Sequence, residues 1–311
     1  MPEPNYPLSF ALMTYRADAF ESLIREWRWA EEVGYDALYV GDHLWSRLVD
    51  GRLVQPRYDT WVMLAALAMN TTRVAIGPYV TSMPYRHPAV VAKQAVTLDH
   101  LSGGRLRLGL GAGGNPADLA AAGLDHEPPG RRATRFAEYV EVIRGLLEQP
   151  TFEFAGDHYR IGMAVRHPAP VQQPRPPLTI AAHVPQTLAV AAHHADTWSS
   201  YGVLLSATLA GTAMSSAAAL ELTRDRIAWL EEYARAAGRD PAAIRRSFLV
   251  GFTPDTPWDS EDAFRDLIGR YAELGVDEFV LPHPLPVGAS PDLLLRLSHD
   301  VMPELRRHTA S

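Results

Sequence analysis

Cysteine is absent from the 311 residues. That excludes disulfides, a thiolate nucleophile, Cys-ligated zinc and Cys-ligated iron–sulfur clusters. Lysine is almost absent: among 29 basic residues the sole lysine is Lys93, so Schiff-base chemistry would have to run through that one side chain. No apolar run approaches the ~20 residues of a membrane span, and Met1-Pro-Glu-Pro lacks the basic-then-apolar pattern of a signal peptide. No membrane partner and a cytoplasmic location are therefore expected. A net charge of -7 gives no general electrostatic drive toward nucleic acid, and none is expected as a partner.

What is present is ordinary for a globular enzyme, with 47% hydrophobic and 21% charged residues. Eight short apolar runs, at 8–13, 36–40, 73–81, 105–110, 177–182, 196–200, 247–253 and 278–282, alternate with helical patterns. Several are continuously hydrophobic, as parallel strands buried on both faces require. Helices are predicted over 18–33, with Asp18 and Glu21 as a capping box, over 88–101 from Pro88, and over 260–274 from Asp259 or Ser260. A last one starts at Pro291. Eight βα units in this length predict a (β/α)8 TIM barrel as a single domain, 1–311. A doubly wound sheet would need glycines after the first strand, where Met13-Thr-Tyr-Arg16 has none. Residues 150–176 are predicted to form a hairpin inserted before strand five, and 201–219 a long loop and mobile lid after strand six.

Barrel active sites lie at the carboxyl ends of the strands. Those ends carry Asp42-His43, Tyr79-Val80-Thr81, a glycine run from Gly109 to Gly114, His183 and His283. A catalytic metal is not expected, because strand one lacks a His-x-His pair and the strand ends are nearly bare of carboxylate apart from Asp42. A nicotinamide-type aldo-keto reductase would need a strand-end lysine, and Lys93 falls inside a helix. Gly109-x-Gly111-x-x-Gly114 matches the dinucleotide fingerprint only formally, since it closes a fourth strand. Its glycines either turn the chain or leave room for a flat ring or phosphate. A site built of glycine, alanine, aromatics and histidine points to a cofactor that carries the chemistry. His87 is read as tying the start of its helix, and Asp99 with Arg105 as a structural ion pair. Arg86 is open between a phosphate, a tail carboxylate and a surface acid.

Ala30-Glu-Glu-Val-Gly-Tyr-Asp-Ala-Leu-Tyr-Val-Gly-Asp-His43 is followed by Thr72-Arg-Val-Ala-Ile-Gly77 and by Tyr85-Arg-His-Pro-Ala89 with Ala92-Lys93. Then come Thr97-Leu-Asp-His-Leu-Ser-Gly-Gly-Arg105, Gly109-Leu-Gly-Ala-Gly113 and Pro177-Leu-Thr-Ile-Ala-Ala-His183. In this order, over roughly residues 8–200, the chain resembles the luciferase-like flavin monooxygenase and coenzyme F420-dependent oxidoreductase superfamily.

The resemblance implies a flavin or deazaflavin lying across the strand ends. Asp42, His43 and Trp45 are then the catalytic candidates, with His43 first for proton transfer. Strand three would carry a bulge, with the non-proline cis peptide of many members at Tyr79-Val80 and Thr81 beside it, backing the ring. Gly111, Ala112, Gly113 and Asn115 would touch the cofactor from strand four. Ala181, Ala182, His183 and Val184 would do so through backbone, with the helix start at Gln186-Thr187 favouring phosphate. Some deazaflavin dehydrogenases have a glutamate after the strand-four glycines. Gly114 stands there instead, which argues against sugar-phosphate dehydrogenation of that sort. The implied activity is coenzyme F420-dependent hydride transfer to or from a small-molecule substrate. The alternatives are an FMN-dependent monooxygenase using O2 and a non-catalytic cofactor-binding relative. A homodimer paired through helices two and three is also implied.

Overall fold

Each long apolar run of the sequence becomes a strand, and the amphipathic stretches between become helices. The computed structural model describes residues 6–14, 17–44, 47–49, 52–54, 57–113, 116–203, 214–283 and 290–308. In chain order β1 (Ser9–Thr14), α1 (Phe20–Glu32) and β2 (Ala37–Val40) are followed by a small hairpin, β3 (Arg47–Val49) with β4 (Arg52–Val54). Next come α2 (Thr60–Asn70), β5 (Ala75–Pro78), β6 (Thr81–Ser82), α3 (Pro88–Ser102), β7 (Leu108–Gly111) and the short α4 (Pro116–Ala121). Helix α5 (Pro129–Glu148) leads to β8 (Thr151–Ala155) and β9 (Arg160–Val165), then to β10 (Leu178–Ala181) and α6 (Pro185–His194). The chain ends with β11 (Thr197–Ser200), α7 (Ser216–Ala236), β12 (Arg245–Leu249), α8 (Glu261–Ala272), β13 (Glu278–His283), α9 (Pro291–Arg296) and α10 (Met302–His308).

The fold class is the expected (β/α)8 barrel. Nine strands share its sheet because the third barrel strand is broken into β5 and β6 at Tyr79-Val80. The predicted hairpin before the fifth barrel strand is present as antiparallel β8 and β9. The hairpin β3–β4 was not predicted. Of the expected lid, residues 204–213 lie outside the described residues, and its end already belongs to α7. Helix α1 begins two residues after Asp18, whereas α3 starts at Pro88 as predicted, with the His87 ring accepting the Ala89 N–H at 3.2 Å. Ser260 is the cap of α8. Among the described residues no helix is long and apolar enough to cross a membrane.

The described chain forms two compact units. One comprises Met1–Thr14, Trp29–Leu38 and Ala182–Ser311. In it β1 pairs with β13, β13 with β12 and β12 with β11, all parallel. Phe10, Phe248 and Phe279 on these strands and Phe264 on α8 are fully buried, each contributing about 1.5–3 kcal/mol of transfer free energy. The polar ends are tied by Asp277, which accepts from Arg245 at 2.7 Å and from the Arg246 N–H at 3.0 Å.

The other unit comprises Tyr15–Arg28 and Tyr39–Ala181. Here β6, β7 and β10 are parallel neighbours, and the buried faces of α3 and α5 supply Val91, Ala95, Phe136 and Tyr139. Asp99 and Arg105 do not form the expected ion pair. Asp99 accepts from the Gln172 backbone and side chain, and the Arg105 guanidinium donates to the carbonyls of Ala68, Thr71, Val74 and Ser102. The guanidinium is taken up by backbone carbonyls around the ends of α2 and α3, and the Asp99 carboxylate is bonded by an amide instead.

Candidate active site

Strand β2 is buried throughout and delivers Gly41-Asp42-His43 to its carboxyl end. The Asp42 carboxylate is not free for chemistry. One of its oxygens accepts the Ser82 N–H at 2.9 Å and Arg86 Nη1 at 2.7 Å. The second terminal nitrogen of Arg86 reaches Asp59 at 2.9 Å, and Asp59 also accepts the Val62 N–H as the cap of α2. Arg86 is thus the counter-ion that locks Asp42, its partners being two acids of its own chain. The Asp42 side chain is 1% exposed, and the guanidinium against it offsets the cost of enclosing a carboxylate.

His43 is different. Its side chain is 41% exposed, yet Nδ1 sits 2.7 Å from Oδ2 of Asp118, which is 8% exposed. Tyr85 donates to the same oxygen at 3.3 Å. Burial raises the Asp118 pKa, but hydrogen bonds from His43 and Tyr85, the His43 charge and Arg57 outweigh it, and the carboxyl is held below its ordinary value. Burial, then Asp118, pushes the Tyr85 hydroxyl well above the usual phenol range, so it remains a neutral donor. The result is an accessible imidazole fastened on one nitrogen by a carboxylate that stays ionised at neutral pH. Sequence reasoning missed Asp118. It lies on α4, beyond the strand end, and only its spacing past the glycine run could have drawn attention to it.

The Tyr79–Val80 peptide is cis, where the family resemblance placed it. The Tyr79 N–H donates to Val40 O at 2.9 Å, and its ring stacks on Tyr39 with centroids 4.9 Å apart. Next to it, the buried Thr81 hydroxyl has no partner among the described residues. The glycines of β7 accommodate this bulge. A Cβ on Gly109 would stand 2.1 Å from Pro78 O, and one on Gly111 2.6 Å from Val80 Cγ2. Gly113, at φ 74°, would meet Pro84 Cδ at 2.5 Å. On the side where side chains would stand, the room left by these glycines is filled by the chain itself. Ala112 follows Gly111 partly exposed, and Ala181 pairs with Gly111 across the sheet. Trp45 and Asn115 lie outside the described residues.

In the other unit, Ala182, His183 and Val184 lead into α6. The Ala182 N–H donates to Ser199 O at 3.3 Å, and those of His183 and Val184 lie 3.3 and 3.4 Å from the Thr187 hydroxyl. The backbone donors expected for a ligand are engaged within the chain. The His183 ring stacks on Tyr201 at 3.9 Å, and burial, then the charge of Arg226, holds its pKa well below the ordinary value. Arg226 is fully buried, and among the described residues it donates to neutral oxygens: His183 O at 3.1 Å, Ser200 Oγ at 3.3 Å and Val203 O at 2.9 Å. Burial lowers its pKa to about 10. Among the described residues no group of three His, Cys, Asp or Glu side chains is arranged to hold a metal.

A family model described as luciferase-like monooxygenase matches residues 7–283. An uncharacterized protein of Mycobacterium tuberculosis is 28% identical over 291 residues, covering 89% of this chain and 92% of that protein. A 4-hydroxyprotoasukamycin monooxygenase of Streptomyces nodosus subsp. asukaensis is 40% identical over 119 residues, 38% of this chain and 30% of that enzyme. Among solved structures, an F420-dependent secondary alcohol dehydrogenase in complex with an F420-acetone adduct superposes with a TM-score of 0.76 at 20% identity, covering 96% and 98% of the two chains.

Proposed function

Because the chain belongs to the luciferase-like monooxygenase family, we propose that this oxidoreductase moves a hydride between a bound deazaflavin of the coenzyme F420 kind and a small organic substrate. The observation that carries this reading is the His43–Asp118 pair, 2.7 Å apart with the imidazole accessible. Hydride transfer to a carbonyl, or from an alcohol, creates or removes charge on the substrate oxygen, and a positioned imidazole exchanges the matching proton near neutral pH.

The residues present fit such a cofactor. The chain has no cysteine to carry a two-electron thiol–disulfide couple, and its one lysine, Lys93, lies on α3 with its ammonium on His167 O. The Tyr79–Val80 bulge, the unpartnered Thr81 hydroxyl and the chain from Gly111 to Gly113 would line the ring. When bound, the deazaflavin supplies the two-electron centre that the side chains lack. His43 holds or moves a proton at its outward nitrogen, Asp118 holds the ring, and Asp42 with Arg86 ties the strand end beneath it.

A second reading, a monooxygenase using reduced FMN and O2, is favoured by the similarity to the Streptomyces monooxygenase. Titration of the purified protein with coenzyme F420 and with FMN, followed by fluorescence, separates the two. Tighter binding of F420 is the expected result. Tighter binding of FMN transfers the proposal to oxygenation, and binding of neither overturns both in favour of a non-catalytic relative. With cofactor bound, His43→Ala is expected to lower turnover by about 10²- to 10⁴-fold while leaving cofactor affinity nearly unchanged.

A further inference from the structure

Asp118 is more than a neighbour of His43. An ionised carboxylate has only acceptor sites, so any hydrogen bond between it and an imidazole nitrogen must take the proton from the ring. Asp118 Oδ2 receives two such bonds, from His43 Nδ1 at 2.7 Å and from the Tyr85 hydroxyl at 3.3 Å. The carboxylate is shielded from water while the imidazole is open, which directs the exposed part of the ring away from Asp118. The helix that carries Asp118, α4, starts at Pro116 just past the glycine run, so it supplies a carboxylate that Gly114 itself lacks.

We propose that Asp118 is the positioning residue of the site: it holds His43 in the Nδ1–H tautomer and leaves Nε2 as a hydrogen-bond acceptor for a hydroxyl or N–H group of the substrate. The inference rests on the hydride-transfer reading for its use, though not for its test. When the proton moves, the substrate's O–H bond breaks, the proton passes to His43 Nε2, and Nδ1–H stays with Asp118. The imidazolium so formed is stabilised by the ionised carboxylate beside it. Without Asp118 the ring is free to carry its proton on Nε2, where it would face the substrate as a donor and could not accept.

Long-range ¹H–¹⁵N spectra of the cofactor-free protein at pH above 7 read the tautomer directly, with His43→Asn identifying the signals by their loss. The expected spectrum has a protonated Nδ1 and a bare Nε2. A proton on Nε2 in the wild-type chain overturns the proposal, and no variant is needed for that outcome. In folded Asp118→Ala the proton is expected to move wholly or partly to Nε2, and an unchanged tautomer overturns the role of Asp118. Cofactor titration of the same sample decides the hydride-transfer reading separately. A protein that binds neither F420 nor FMN but shows the Nδ1–H ring sinks that reading and leaves this inference standing.

Discussion

Val80 occupies the space that a side chain at Gly111 would need, its Cγ2 lying 2.6 Å from where a Cβ would be. Valine is β-branched and cannot swing aside cheaply, so Gly111→Ala must displace either the bulge or β7. Overpacking of this kind costs about 1–3 kcal/mol. Gly269 in the middle of α8 has nothing within 4 Å of its would-be Cβ. Gly269→Ala is therefore expected to stabilise the chain by about 0.5–1 kcal/mol. Urea unfolding of both variants checks the opposite signs, and a neutral Gly111→Ala would show that the bulge yields.

Arg86 and Asp42 form a shielded pair at 2.7 Å, with Arg86 also tied to Asp59. Arg86→Met removes the cation and leaves Asp42 enclosed with only the Ser82 N–H. The expected loss is about 3–5 kcal/mol. Asp42→Asn keeps an acceptor for Ser82 and removes the stranded charge, so Asp42→Asn with Arg86→Met should be more stable than Arg86→Met alone. A double-mutant cycle from denaturant midpoints measures this coupling. Additive effects would mean that the pair is not energetically linked.

Much of the fold was legible because β2, β12 and β13 carry continuous apolar runs, which parallel strands buried on both faces require. The broken third strand was legible only through resemblance; no local propensity marks Tyr79-Val80. Asp42 was legible as a site residue but not in its role, since the partner that claims it, Arg86, is remote in sequence. Asp118 escaped for the same reason, being polar, on a short helix, and distinguished only by what folds against it. The glycines from Gly109 to Gly113 were read as turning the chain or leaving room for a flat ring; a further reason for them, that Pro78, Val80 and Pro84 stand where their side chains would be, only the fold shows. Arg226 sits on a helix with many charges, and nothing in its local sequence marks it as buried. Its burial depends on Ser200 and Val203, which only the fold brings to it.

Asp118 makes stability depend on pH in a defined direction. Its folded pKa lies below the ordinary 3.8, because the hydrogen bonds and charges around it more than reverse the upward push of burial. In acid the unfolded chain therefore binds more protons than the folded one, and stability falls as pH falls. The contribution of Asp118 is present above pH 3.8 and is lost as the pH drops through the lower folded value. Asp118→Asn should be less stable than wild type at pH 7, and the difference should shrink well below pH 3.8. Guanidinium midpoints across this range provide the measurement. A gap that stays constant with pH would assign the cost to packing instead of charge.

Arg226 sets two large effects against each other. A fully buried guanidinium whose partners among the described residues are neutral carries a desolvation penalty of several kcal/mol, visible in the lowering of its pKa to about 10. Its three hydrogen bonds nevertheless satisfy His183 O, Ser200 Oγ and Val203 O, and each buried acceptor left bare costs about 1–3 kcal/mol. Arg226→Met removes the charge and strands the His183 and Val203 carbonyls, while Ser200 Oγ keeps the Gly202 N–H, so the two terms partly cancel and a loss of about 3 kcal/mol is expected. Arg226→Lys keeps the charge buried, yet its single ammonium cannot span three acceptors that a planar fork reaches together. Lysine should therefore be worse than methionine at this position, the reverse of what similarity of charge suggests. Denaturant unfolding at pH 7 decides it. If Arg226→Lys proves the more stable, the hydrogen bonds are dispensable and the positive charge itself is what this buried position requires.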